Sequence, residues 1–167
     1  MDGNKRRRRL AAGILFFIYF IVLFYFLFFS EELGRTYSER TYHYNLVPFK
    51  EIGRFIRYRE RLGMKAVLLN IFGNVAAFVP FGVYLPVYFR RCQRFLWAVF
   101  FSFELSLAVE LLQLVFKVGS FDVDDLLLNT LGGMLGFLVF VCWKRMVRTW
   151  ERQPDGGGSS GEGKKEL

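Results

Sequence analysis

The 167-residue sequence has few of the residues on which small secreted domains and many enzymes depend. Two cysteines, Cys92 and Cys142, allow at most one disulfide, which argues against a disulfide-stabilised scaffold. The single histidine, His43, excludes a histidine metal triad and a Ser-His-Asp catalytic set. Because neither cysteine has a histidine near it in the sequence, we interpret both as free thiols without a catalytic role.

Apolar residues, in contrast, are abundant. They make up 53% of the chain, with phenylalanine at 21 positions. A chain of this length buries roughly two thirds of its surface on folding, which cannot hide several apolar runs of about twenty residues. The 23 basic and 15 acidic residues, with a net charge of +8, lie mainly between these runs. This separation is typical of a multi-pass membrane protein and argues against a soluble enzyme or a disordered protein.

The apolar runs predict an all-α membrane protein with four transmembrane helices. Each run can cross an apolar layer of roughly 30 Å, at about 1.5 Å per helical residue. The predicted spans are about 10–29, 66–89, 95–116 and 122–143. The first is too long for a removable leader, so we expect an anchor. Pro80 predicts a kink or break in the second helix near 79–82.

Charge predicts the orientation and the boundaries of the membrane domain. A basic N-terminus, 1–9, precedes the membrane domain, 10–148, and a polar tail rich in Gly, Ser, Lys and Glu follows at 149–167. Such a tail cannot bury enough apolar area to fold, so we predict disorder. Basic residues follow the second and fourth spans: Arg90, Arg91, Arg94, Lys144, Arg145 and Arg148. The positive-inside rule then places both termini in the cytoplasm, although the first outer loop, 30–65, is also basic.

The second half of that outer loop predicts an amphipathic helix at the membrane surface. Its apolar residues fall roughly on one helical face: Ile52, Phe55, Ile56 and Leu62. The charged residues fall on the other: Glu51, Arg54, Arg57 and Arg61. A basic amphipathic helix of this kind lies in the membrane interface. Arg54 and Arg57 could bind anionic head groups or a lipid-linked phosphate, or the helix could only anchor the loop and cover the bundle.

Polar side chains fall at similar depth near the outer ends of three spans. Within each span they are three or four residues apart and share a helix face. They are Asn70 and Asn74, then Glu110 and Gln113, then Asp122, Asp125 and Asn129. Glu104 lies nearer the middle of its span, where a charge is costly, and we expect it to face the interior of the bundle.

Three interpretations of this polar group remain open. Asp122 could cap the fourth helix, while the amides hydrogen-bond between helices, so that the group is purely structural. It could bind a ligand, or Glu110 could act with Asp122 or Asp125 as a general acid and base, although no nucleophile is identified. Oxygen ligands also suit Mg²⁺ or Ca²⁺, but spacing alone does not support a site, and we expect neither a metal nor a cofactor.

Two glycines in the fourth span suggest a contact between helices. Gly132 and Gly136 are four residues apart, a spacing that lets a second helix approach closely. We therefore predict a helix-mediated homo-oligomer through these residues. The lipid bilayer, and not a nucleic acid, is the expected partner of the basic residues.

Six short motifs occur in an order that resembles the VanZ family of bacterial membrane proteins. They are NLVPF at 45–49, NIFGNV at 70–75, FVPFG at 78–82, ELLQ at 110–113, DVDDL at 122–126 and NTLGG at 129–133. The basic start and the Gly-Ser tail lie outside them. The positions that the resemblance marks here are Asn45, Pro48, Asn74, Pro80, Glu110, Gln113, Asp122, Asp125 and Asn129.

The resemblance implies a multi-pass protein of the bacterial plasma membrane. The family is named for a member linked to resistance to the lipoglycopeptide teicoplanin. On this basis we expect an outward-facing polar site that engages a lipid-linked wall component or the drug. The alternatives are a membrane enzyme that modifies an envelope lipid or glycan, and a non-catalytic module that binds a partner protein.

Overall fold

The computed structural model describes residues 3–29, 44–58, 60, 63–117 and 119–151. This part of the chain is mostly helical, as predicted. Its elements are α1 (Gly3–Phe29), β1 (Tyr44–Asn45), α2 (Lys50–Arg57), α3 (Met64–Tyr88), α4 (Phe95–Phe116), β2 (Phe121–Asp122) and α5 (Val123–Glu151). A 3-10 turn, Arg90–Gln93, joins α3 to α4. His43 and the end of the predicted tail lie outside the described residues.

Three helices in the described chain are long and apolar enough to cross a membrane. The stretches are Asn70–Tyr88, Phe95–Phe116 and Val123–Trp150. α1 contributes a shorter apolar stretch, Leu10–Tyr25, so its role as a fourth span stays a prediction. α3 runs as one helix through Pro80, so the chain does not break there, and the kink at this proline also stays a prediction.

Glycines bring α3 and α5 into close backbone contact. A Cβ atom added to Gly132 would overlap the carbonyl oxygen of Val75, and one added to Gly136 would overlap that of Val79. Only glycine permits an approach this close. The two glycines predicted to contact another copy therefore contact α3 of the same chain, and assembly between copies stays a prediction.

α1 packs antiparallel along α3 through aromatic side chains. The Phe16 ring stacks on the Tyr84 ring with centroids 3.4 Å apart. One turn further along α1, the Tyr19 hydroxyl donates to the carbonyl oxygen of Ala77 over 2.7 Å. Because rising residue numbers in α1 meet falling numbers in α3, the start of α1 lies at the same end of the bundle as the end of α3.

That end of the bundle is basic. It gathers Arg90, Arg91 and Arg94 around the 3-10 turn with Lys144, Arg145 and Arg148 near the end of α5. Lys144 Nζ donates to Gln93 Oε1 over 2.9 Å, which joins the two groups. Both cysteines are free, as predicted: Cys92 is buried in the turn and Cys142 is exposed on α5. The opposite end carries β1, α2 and β2.

Candidate functional site

A short parallel strand pair brings the loop after α1 to the start of α5. Asn45 in β1 is the register partner of Asp122 in β2. Asn45 Nδ2 donates to Asp122 Oδ1 over 3.1 Å, and Asn45 Oδ1 accepts the backbone N–H of Val47 over 3.2 Å. The Asn45 amide therefore shapes its own turn and also binds a carboxylate 77 residues away. Both residues are buried.

Asp122 links this strand pair to α4. Its backbone N–H donates to Glu110 Oε2 over 2.9 Å, and its Oδ1 accepts the N–H of Asp124 over 2.9 Å. Burial raises the pKa of the Asp122 carboxyl, and the negative charges of Asp124 and Glu51 act in the same direction. Hydrogen bonds from the Asp124 N–H and the Asn45 side chain oppose this rise.

Asp124 is the central residue of this end, and the sequence analysis did not include it among the site residues. Its carboxylate accepts three backbone N–H groups at the start of α2. Phe49 donates to Oδ1, while Glu51 and Ile52 donate to Oδ2 over 2.9 and 3.0 Å. Asp124 is only 1% exposed. It therefore caps α2 from a distant part of the chain.

α2 needs this external cap because it has none of its own. Phe49 precedes it in the left-handed conformation, with a φ of 63°, and makes no side-chain cap bond. The first N–H groups of a helix have no partner within the helix, and a carboxylate there also suits the helix dipole. The sequence signal was the absence of Ser, Thr, Asp or Asn at 46–49, just before a predicted helix.

The other predicted polar residues form two separate pairs. Asn74 Nδ2 donates to Asp125 Oδ1, which connects α3 to α5. Deeper in the bundle, Asn129 Nδ2 donates to Ser106 Oγ over 3.0 Å, and Ser106 is another residue that the sequence analysis missed. Asn129 Oδ1 has no hydrogen-bond partner in the described part of the chain.

The two remaining predicted residues differ in their surroundings. Gln113 is buried, and its side chain lies close to Gly119 in the turn before β2. Asn70 is half-buried, and no side-chain hydrogen bond joins it to any residue that the structure describes. The structure therefore brings Asn45, Glu110 and Asp122 together and leaves Asn70 outside.

The basic side of α2 faces away from the buried carboxylates. Arg54 pairs with Glu51 at 2.6 Å and lies over the Phe55 ring, 5.5 Å from its centroid. Arg57 is exposed, beside an open groove that Gly53 and Glu60 also line. The separation of apolar and charged faces that the sequence predicts for this helix is only partly present.

Ile52 and Phe55 are half-buried, as expected for the apolar face, but Ile56 is exposed. α2 ends at Arg57, and this short helix turns Ile56 toward the outside with the arginines. Arg61 and Leu62 lie outside the described residues.

The expectation that Glu104 faces the interior is wrong. Its side chain is exposed, whereas Ser102 and Ser106, two positions before and after it, are completely buried against the bundle. Positions two apart on a helix point about 200° apart, so Glu104 faces away from the neighbours of α4.

These contacts define what the polar end of the bundle can do chemically. Glu110, Asp122 and Asp124 are held by backbone N–H groups, so their positions are fixed before any ligand arrives. On the exposed side of α2, Arg57 presents a guanidinium group suited to phosphate or carboxylate. In the described residues, no three acidic, histidine or cysteine side chains are grouped so that they could hold a metal ion.

Comparison with known proteins places these residues in a known family. The sequence model of the VanZ/LLP1 family matches residues 16–144. Protein VanZ of Enterococcus faecium is 36% identical over 96 residues, which are 58% of this chain and 51% of that protein. The chain thus spans about half the length of this curated relative. No solved structure matches.

Proposed function

Because this chain belongs to the VanZ/LLP1 family, we propose that it acts in the bacterial cell envelope and lowers susceptibility to lipoglycopeptide antibiotics such as teicoplanin. Its outer polar end would engage a lipid-linked wall component or the drug itself. It would do so as a multi-pass protein of the plasma membrane with both termini in the cytoplasm.

The observation that carries this proposal is the attachment of α2 to the buried carboxylate of Asp124. Three backbone hydrogen bonds hold the start of the helix. This attachment holds α2, whose last residue, Arg57, lies beside an open groove. A guanidinium group can pair with a phosphate through two parallel hydrogen bonds. A lipid-linked phosphate at the membrane surface is therefore the ligand chemistry that we propose for Arg57.

The basic residues at one end of the bundle support an outward orientation of the polar end. The basic residues around the 3-10 turn and the end of α5 favour the cytoplasmic side under the positive-inside rule. The polar end would then face the cell wall, where the drug and its targets are. If the polar end faced the cytoplasm, it could not meet the drug outside the membrane. Evidence for that orientation would therefore also refute the proposed function.

The test is the inhibitory concentration of teicoplanin in a sensitive Gram-positive host at matched membrane levels of each variant. We expect protection from the wild type and loss of protection with Arg57→Ala and with Glu110→Gln combined with Asp125→Asn. Arg148→Ala, at the opposite end, is the matched control and should keep protection. Full protection from the Arg57 and the double variant would refute the proposed site, and no protection from the wild type would refute the proposed function.

A second function, a membrane enzyme acting on an envelope lipid or glycan, has one observation in its favour. Burial raises the pKa of the Asp122 carboxyl, a shift of the kind that general acids use, and the backbone N–H of the same residue donates to Glu110. This function predicts a new covalent species in lipid or wall extracts of expressing cells, absent with Asp122→Asn. Identical mass spectra with and without the protein would eliminate it.

A further inference from the structure

Glu104 occupies an unusual position for a carboxyl group in a membrane helix. It is the tenth of the 22 residues of α4, so it lies near the middle of the span. It is exposed on the outside of the bundle, and no hydrogen bond or ion pair joins it to a described residue. A carboxylate at this depth is costly, so such groups normally have a partner.

The apolar stretches of the chain offer no basic partner at this depth. Residues 10–29, 70–88, 95–116 and 123–143 contain no lysine, arginine or histidine. The buried side of α4 is already used: Ser102 and Ser106 face the bundle, and Leu105 packs beside the α1 contact. These stretches therefore leave Glu104 available for a contact with another molecule.

The residues around Glu104 form a regular stripe along the exposed face of α4. They are separated alternately by four and three residues, and every one is exposed: Trp97, Phe101, Glu104, Ala108, Leu111 and Val115. Alternation of this kind is the spacing of a left-handed coiled-coil contact between two helices. We call these six residues the α4 seam. Ala108, one turn from Glu104, is small enough to let a second backbone approach.

We propose that a second copy of this chain packs against the α4 seam, so that the two Glu104 side chains pair across a two-fold axis. Copies in one membrane share their orientation, so the axis is perpendicular to the bilayer and the two α4 helices are parallel. A two-fold contact places each residue near its own copy. In such a contact two carboxyl groups that carry their protons each donate an O–H to the carbonyl oxygen of the other, which satisfies both groups in lipid.

The first test measures association of the full chain in liposomes that contain no other protein. Cys142 is free and exposed, so it can carry donor and acceptor fluorophores for energy transfer. We expect a dimer whose dissociation follows the protein-to-lipid ratio. Glu104→Leu should associate about tenfold more weakly, whereas Glu104→Gln, which can also pair reciprocally, should keep most of the association.

Phe103→Leu is the matched control, because Phe103 is exposed on α4 but lies off the seam. It should associate like the wild type. Thermal unfolding in detergent should be the same for all variants, since none of these side chains is buried in one copy. Equal energy transfer for Glu104→Leu and wild type, or a wild type that stays monomeric, would overturn the proposal.

The second test locates the interface by disulfide cross-linking in native membranes. In a Cys142→Ser background, Ala108→Cys and Leu111→Cys should form dimers on oxidation, and Phe103→Cys should not. Equal cross-linking at position 103 would overturn the seam. A cross-linked product with a different protein, and none between copies, would instead identify a partner helix with a basic residue and would also overturn the proposal.

Discussion

Asn45 and Asp122 are joined twice, as register partners of the β1–β2 pair and by a side-chain hydrogen bond of 3.1 Å. The two contacts close the polar end of the bundle, because β1 belongs to the loop after α1 and β2 precedes α5. The carboxyl of Asp122 is thereby held in a buried position, which makes it sensitive to pH.

Asp122→Asn should remove part of the pH dependence of stability. Burial raises the pKa of Asp122 above its ordinary value of 3.8. The folded protein therefore binds this proton more tightly than the unfolded chain does. Proton binding stabilises the fold fully below pH 3.8, and this stabilisation is lost as the pH rises through the raised pKa. Thermal unfolding in detergent across this window should show a fall for the wild type that the variant lacks, and equal slopes would contradict the assignment.

Asp124→Ala should release the start of α2. Its carboxylate accepts three backbone N–H groups, and loss of a helix cap typically costs about 1–2 kcal/mol. Hydrogen exchange measured by mass spectrometry should become faster at the amides of Phe49, Glu51 and Ile52. Asp125→Ala, which leaves these three bonds in place, is the control. Unchanged exchange in the Asp124 variant would mean that the cap does not hold the helix.

Gly132→Ala should destabilise the bundle, because the new Cβ would overlap the carbonyl oxygen of Val75 and force α3 away. Overpacking of this kind costs about 1–3 kcal/mol. Gly13→Ala is the matched control, since a Cβ there meets nothing within 4 Å. It should be neutral or slightly stabilising. The comparison is the denaturant midpoint of each variant in detergent, and equal midpoints would be inconsistent with the close α3–α5 contact.

Ser106→Ala should cost about 1 kcal/mol, because it leaves the buried Asn129 Nδ2 group without its acceptor. Asn129→Leu in addition removes the orphaned amide, so the double variant should recover part of the loss. A double-mutant cycle on unfolding free energies measures the coupling. Strictly additive effects would show that the pair does not interact.

The two cysteines should differ strongly in thiol labelling. Cys92 is buried, and burial raises the pKa of its thiol, so less of the reactive thiolate forms. Cys142 is exposed and should react with a maleimide on the order of ten times faster or more. A membrane-impermeant maleimide should label Cys142 in inverted membranes but not in intact cells. The reverse pattern would place the basic end outside and overturn the proposed orientation.

The positions of the helices could be predicted from the sequence, because a long apolar run indicates which residues lie within the membrane. The predicted span 95–116 coincides with α4. The strand pair could not be predicted, because each strand has two residues and its pairing depends on chain closure, not on a local pattern. α5 continues to Glu151, past the predicted boundary at 143, because helix formation does not stop where the apolar run ends.

Most residues of the candidate site could be predicted from the sequence, but the contacts that join them could not. Asp122 and Glu110 were predicted to lie at the same end of the bundle, because the position of a residue within its span gives its distance from the membrane surface. Depth does not give the direction in which a side chain points, and for this reason Glu104 was placed on the wrong face. Asp124 was missed because its partners are backbone groups of a distant helix, which no side-chain spacing reveals.

The distance along the chain between α2 and its cap has a consequence for biosynthesis. Phe49 precedes Asp124 by 75 residues. At translation rates of about 5–20 residues per second, the start of α2 is synthesised roughly 4–15 s before Asp124. Until Asp124 is in place, the N–H groups at the start of α2 lack the acceptor that they have in the folded protein. The polar end is therefore completed last, after α5 has been made.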